Sequence, residues 1–140
     1  MNDQISQGAK ANLSGQTLEK DTASILSALG IDFETQVIFE DCYNNSRSKM
    51  DFYIPKLDCA IECKRQNVSG TADQKLPFVV ENLKKFPSVR GLIVLDGSHY
   101  QNRKGIHDYL NSIKSSTLDW CFAHHLGEWL IEQTNIRKTS

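Results

Sequence analysis

Lys49-Met50-Asp51-Phe52-Tyr53-Ile54-Pro55 and, four residues on, Cys59-Ala60-Ile61-Glu62-Cys63-Lys64 decide the fold of this chain. Both are short apolar runs with strand chemistry. In the first, period-2 alternation groups Met50, Phe52 and Ile54 on one face and Asp51 and Tyr53 on the other. In the second, Cys59, Ile61 and Cys63 oppose Ala60, Glu62 and Lys64. The short connection around Pro55-Lys56-Leu57-Asp58 lets the two strands pair. Pairing would bring two carboxylates and an ammonium together on one face while the other meets the core. Such a cluster is a seat for a divalent cation and a polarised water.

Upstream, Met1 to Asn12 is polar and aperiodic and reads as a flexible arm, residues 1–12. Ser14-Gly15-Gln16-Thr17 can open a helix with Leu18, Thr22, Ile25, Leu26 and Leu29 as its buried stripe and Gly30 as its end. Phe33 to Asp41 alternates as a strand, and Asn44-Asn45-Ser46 is turn chemistry. Downstream, Thr71 and Gln74 fit a capping box before a helix marked by Leu76, Val79, Val80 and Leu83. Pro77 either kinks that helix or marks its regular start. Gly91-Leu92-Ile93-Val94-Leu95 is the unbroken apolar run of a strand buried on both faces, and Asp96-Gly97 ends it. A polar loop, 98–105, leads to a helix at Ile106, Tyr109, Leu110 and Ile113. A short strand over Asp119 to Ala123 and a last helix at Leu126, Trp129 and Leu130 complete the string. The order is αβββαβ followed by αβα, read as one domain over 13–136 with a tail, 137–140.

Acidic Asp51 on one strand, then Glu62-Cys63-Lys64 on the next, resembles the metal-binding motif of the PD-(D/E)XK nuclease superfamily, including small bacterial and phage members. Met50 stands where the family often has proline. The order of elements from Gly15 to Gly97 resembles the family's core, with the motif on its second and third strands. The resemblance implies an α/β, restriction-endonuclease-like fold: a central mixed sheet flanked by helices, with the αβα segment as an extension. It implies a metal-dependent DNA endonuclease of restriction, phage, homing or repair type. Asp51, Glu62 and Lys64 are then its catalytic residues. Mg²⁺, for which Mn²⁺ substitutes, would be held by Asp51, Glu62 and the Cys63 backbone carbonyl. In many relatives an acid from the first helix completes the metal site, and Glu19 occupies that element. A first-turn glutamate favoured by the helix dipole is the alternative reading of Glu19.

Supporting roles fall to Gln66, two residues beyond Lys64, and to Gln74 and Lys75, where a helix begins and can hold a phosphate. Arg103 and Lys104, beside Tyr100 in the polar loop, are candidates for phosphate contact or base stacking. Each also has a plainer reading as a strand end, a helix cap or a solvated connection.

The 140 residues are 39% hydrophobic and 24% charged, ordinary for a globular chain with a modest core. No apolar run approaches the ~20 residues of a membrane span, and no signal pattern opens the chain, so a cytoplasmic location is the default expectation, in a bacterial or phage-infected cell if the resemblance holds. Cys42, Cys59, Cys63 and Cys121 form no CxxC pair and are expected as free thiols. A net charge of −1 is unusual for a nucleic-acid binder, although Lys64-Arg65, Lys84-Lys85 and Arg103-Lys104 are local basic pairs. His99, Asn102 and His107 echo His-Asn-His nucleases but lack the hairpin those require. His124-His125 has no partner spaced for zinc. The rival functional class is an inactive DNA-binding or assembly module on the same scaffold. One site per chain makes a homodimer the simplest route to cutting both strands.

Overall fold

The apolar run Gly91–Leu95 needs cover on both faces, and the fold supplies it. The computed structural model describes residues 7–40, 47–66, 72–84 and 90–139, with side chains other than those of 7–16, 48, 72–75 and 136–139. The five strands are β1 (Glu34–Phe39), β2 (Ser48–Ile54), β3 (Cys59–Arg65), β4 (Arg90–Asp96) and β5 (Leu118–Phe122). They form one sheet in sequence order. The β1–β2 and β2–β3 pairs are antiparallel, whereas β3–β4 and β4–β5 are parallel. The helices are α1 (Gln7–Ala28), α2 (Ala72–Lys84), α3 (Ser98–Gln101), α4 (Lys104–Ile113) and α5 (Leu126–Thr139).

Two apolar layers sandwich the sheet. Leu92 and Val94 of β4, with Cys59 and Ile61 of β3, pack under Leu18 and Leu26 of α1 and Leu126, Trp129 and Leu130 of α5. Ile93 and Leu95, with Ala60, pack under Leu76, Val79, Val80 and Leu83 of α2 and Leu110 of α4. Alternation therefore assigns the faces of β3 correctly, and the apolar run of β4 is covered on both sides as expected. The mixed α/β sheet between helices is the expected architecture.

Several local expectations are corrected. α1 begins at Gln7, about two turns before Ser14, so residues 7–12 are helical. Its end is as read: Gly30, at φ +69°, donates its N–H to the Ser27 carbonyl while the Ile31 N–H reaches back to Leu26, a Schellman closure. Leu29, expected in the buried stripe, is exposed because it lies at this unwinding end. α2 runs through Pro77, which sits on its exposed side, so the helix neither stops nor starts there. Part of the expected 98–105 loop is the short helix α3, and Tyr100 is fully buried in the α2-side core. A buried ring cannot stack on a base. Met50, expected beside Phe52 and Ile54, packs instead in the α2-side layer, while they lie in the α1-side layer. The cause is a reversal of faces at Asp51. The turn at 44–46, the cap residue Thr71, Lys85 and Cys42 lie outside the described residues, as does the side chain of Gln74.

β4 passes so close beneath α2 that a Cβ on Gly91 would meet the Leu83 methyls at 3.0 Å and its Cβ at 3.1 Å. Leu83 cannot rotate its own Cβ away. Gly91→Ala should therefore cost about 1–3 kcal/mol, read as a lower denaturation midpoint. An unchanged midpoint would mean that α2 is free to lift off the sheet.

Candidate active site

β2 and β3 pair at Ile54–Cys59, Tyr53–Ala60 and Phe52–Ile61, and their ladder goes no further. At the next rung, side chains take over from backbone. The Asp51 N–H donates to Glu62 Oε1 at 2.8 Å, and the Cys63 N–H donates to Asp51 Oδ2 at 2.8 Å. Each carboxylate thus accepts from the opposite strand, in the place where a carbonyl would otherwise serve. Lys64 Nζ stands 3.7 Å from Glu62 Oε2. The sheet brings all three motif residues together, at the point where β2 and β3 separate rather than on an open face.

The same rung marks a change on the other side of β2. Phe52 and Met50, two residues apart, serve opposite core layers, as do Phe33 and Phe39 flanking and ending β1. The Phe33–Phe52 and Phe39–Tyr53 ring contacts, at 5.7 and 6.2 Å, follow the same exchange. Register is kept, with Thr35 opposite Phe52 and Val37 opposite Met50. Between them Gln36 adopts φ +53°, a left-handed conformation within a strand. The β1–β2 ribbon therefore turns over at Gln36 and Asp51.

α1 brings a third carboxyl. Thr22, buried, donates to the Leu18 carbonyl and lies 3.5 Å from Cys63 Sγ, which seats this face of α1 on β3. Glu19, one turn earlier, lines an open cavity of about 330 Å³ with Lys20, Ala23, Thr35, Gln36, Asp51 and Phe52. Burial, the Asp51 charge and a hydrogen bond to Asp51 raise the Glu19 pKa, with Lys64 opposing. Glu62 is 7% exposed. Its burial and then the Asp51 charge push its pKa up to about 7, against the lowering effects of Lys64 and the Asp51 N–H. Burial likewise raises Cys59 and Cys121 to about 12 and raises Cys63 as well, which favours the protonated thiol at all three free cysteines.

The remaining candidates divide. Gln66 continues β3, its N–H donating to the Asp96 carbonyl and its carbonyl accepting from the His99 N–H. Arg65 pairs with Asp96 at 3.4 Å and Lys84 with Glu81 at 3.8 Å, so these two basic residues carry local charge balance. Arg103 and Lys104, both exposed, line a separate cavity with Leu76, Pro77 and Tyr109, away from the residues around Asp51. The backbone places Gln74 and Lys75 in the first turn of α2, and their side chains lie outside the described residues. His99 is buried and the His107 ring contacts the Tyr100 carbonyl, so neither forms an imidazole site. Among the described residues no three His, Cys, Asp or Glu side chains form a ready cation cage. No described helix is long and apolar enough to cross a membrane. The sequence does not single out Gln36, because nothing in an alternating stretch announces a left-handed residue, and Thr35 and Lys20 reach this cavity only through tertiary packing.

A family model described as the PD-(D/E)XK nuclease superfamily domain matches residues 10–120, which include Glu19, Asp51, Glu62 and Lys64. The chain belongs to the PD-(D/E)XK nuclease superfamily. Neither curated proteins nor solved structures give a significant match. The family match extends past Gly97 through α4 and into β5, the edge strand beside β4, and stops before α5.

Because Glu62 holds its proton more tightly folded than unfolded, metal-free stability from this group is full below about pH 4.5. It is lost as pH rises through about 7. Glu62→Gln keeps an oxygen for the Asp51 N–H but removes the buried charge. In EDTA it should stabilise the protein at pH 8, on the order of 2 kcal/mol, and have little effect at pH 4. Equal melting shifts at both pH values would show that the carboxylate is not strained.

Proposed function

We propose that this chain is a metal-dependent DNA endonuclease that hydrolyses phosphodiester bonds with Mg²⁺, for which Mn²⁺ substitutes. The observation that carries the reading is the crossed Asp51–Glu62 exchange with Lys64 beside it. An ion pair serving only the sheet would leave the β2–β3 ladder intact. Here two carboxylates are held in the gap between diverging strands, with a third from α1 close by.

The donor set fits a hard divalent cation. Such ions take carboxylate oxygens and keep several waters, so a complete protein cage is unnecessary. The raised pKa values of Glu62 and Glu19 mark uncompensated negative charge that a cation would neutralise. Asp51 and Glu62 would hold the ion, with the Cys63 carbonyl as a third ligand and Glu19 completing the set. When bound, the metal supplies Lewis acidity and counter-charge for the phosphoryl oxygens.

Lys64 orients the attacking water and stabilises charge developing on the phosphoryl group. Its side chain is 29% exposed, so the ammonium can meet substrate while Glu62 restrains it. The hydrogen bonds from backbone N–H groups fix both carboxylates before substrate arrives, which lowers the reorganisation needed during reaction. Gln66 supports the end of the same strand. Arg103 and Lys104 hold DNA phosphate away from the reacting centre, where Gln74 and Lys75 have a corresponding role at α2. A single site per chain cuts both strands either as a homodimer or by two successive nicks.

Supercoiled plasmid incubated with Mg²⁺ or Mn²⁺ should be nicked or linearised, and EDTA should stop the reaction. Lys64→Ala and Asp51→Asn should each lower the rate by ~100-fold or more, at preserved melting temperature. Cleavage by both variants at the wild-type rate would sink the proposal. Metal-independent DNA binding without cleavage, across plasmid, genomic and branched DNA, would favour an inactive binding module.

A further inference from the structure

Gln36 is placed where a left-handed backbone is needed, yet it is not glycine. Among the described residues only Gln36 and Asp58 combine positive φ with a side chain. Asp58 closes the short turn at Pro55–Leu57, and aspartate tolerates that conformation. Gln36 lies inside β1, opposite Asp51, where glycine would make the same turn without steric cost. The turn therefore explains the backbone but not the side chain. That side chain is exposed and lines the Asp51 cavity with Glu19, Thr35 and Lys20. Strained residues of this kind concentrate where a side chain must stand in a particular place.

We propose that Gln36 is a substrate-contact residue: its carboxamide N–H donates to the sugar-phosphate backbone of DNA entering the Asp51 cavity. Lys20, exposed on α1 across the same cavity, supplies the accompanying positive charge. The assignment rests on the nuclease reading and deepens it. Glu19 and Asp51 need a cation before they tolerate an anion, whereas an amide donor and an ammonium accept phosphate directly. The contact is to phosphate rather than to a base, so it is independent of sequence. Gln36 belongs to substrate binding, and the bond-breaking step stays with the Asp51, Glu62 and Lys64 group.

Gln36→Gly separates the two roles, since it keeps the left-handed turn and removes the amide. Binding of a fluorescein-labelled DNA duplex is measured in Ca²⁺ and cleavage of the same duplex in Mg²⁺, with Lys64→Ala as the inactive control. Gln36→Gly should weaken binding roughly fivefold, as for one lost hydrogen bond, and raise KM more than it lowers kcat. Its melting temperature should hold or rise, because relief of strain opposes the added freedom of the unfolded chain. Gln36→Asn, which tolerates the turn and keeps an amide, should fall between wild type and Gln36→Gly. Lys20→Ala should reduce the salt dependence of binding by about one phosphate contact. Wild-type affinity in Gln36→Gly, with wild type active and Lys64→Ala inactive, would overturn the contact while leaving the nuclease reading intact. A lowered melting temperature in Gln36→Gly would assign Gln36 a structural role instead. Failure of wild type to bind or cut any duplex would overturn both.

Discussion

Where β2 and β3 part, two carboxylates take the place of one backbone rung, and the site depends on that substitution. Asp51 and Glu62 each accept an N–H from the opposite strand, so neither can be removed without orphaning a donor. The exchange fixes side chains with the precision of a sheet ladder. It also buries these carboxyls and holds them against the Asp51 charge, which raises Glu62 and Glu19 and leaves the site short of positive charge. Lys64 supplies part of that charge. The divalent cation of the proposed function would complement the rest.

The conformational costs gather at one rung. Asp51 loses its regular pairing with β3, Gln36 adopts a left-handed backbone, and the ribbon changes faces between them. The rest of the sheet is regular. β4 is buried along both faces, and its parallel pairing with β3 runs from Cys59–Arg90 to Arg65–Asp96. That ladder holds β3 straight past the point where β2 leaves it. A rigid strand and a departing one make the opening that carboxylates fill.

Much of this was legible beforehand. The apolar run at Gly91–Leu95 identified a doubly covered strand, and alternation in Cys59–Lys64 gave the correct faces. The acid and acid-x-Lys spacing picked out three residues that the sheet brings together. Alternation failed at Met50 because it assumes a strand that keeps its twist, and the reversal at Asp51 depends on β1 turning with β2. Tyr100 read as a loop aromatic because a four-residue helix is too short to show a period. Leu29 fits the helical stripe but falls in the unwinding turn, where the face rotates out to solvent.

The sequence by itself determined the strands, the longer helices and the identities of the acids and the lysine, since these follow from local periodicity and residue chemistry. Tertiary structure decided their relation. Asp51 and Glu62 interlock through N–H groups eleven and twelve residues away. Glu19 joins them only because Thr22 seats α1 against Cys63. Gln36 becomes noteworthy only opposite Asp51. Each of these depends on strands and helices distant along the chain meeting at fixed register, and local periodicity carries no record of that meeting.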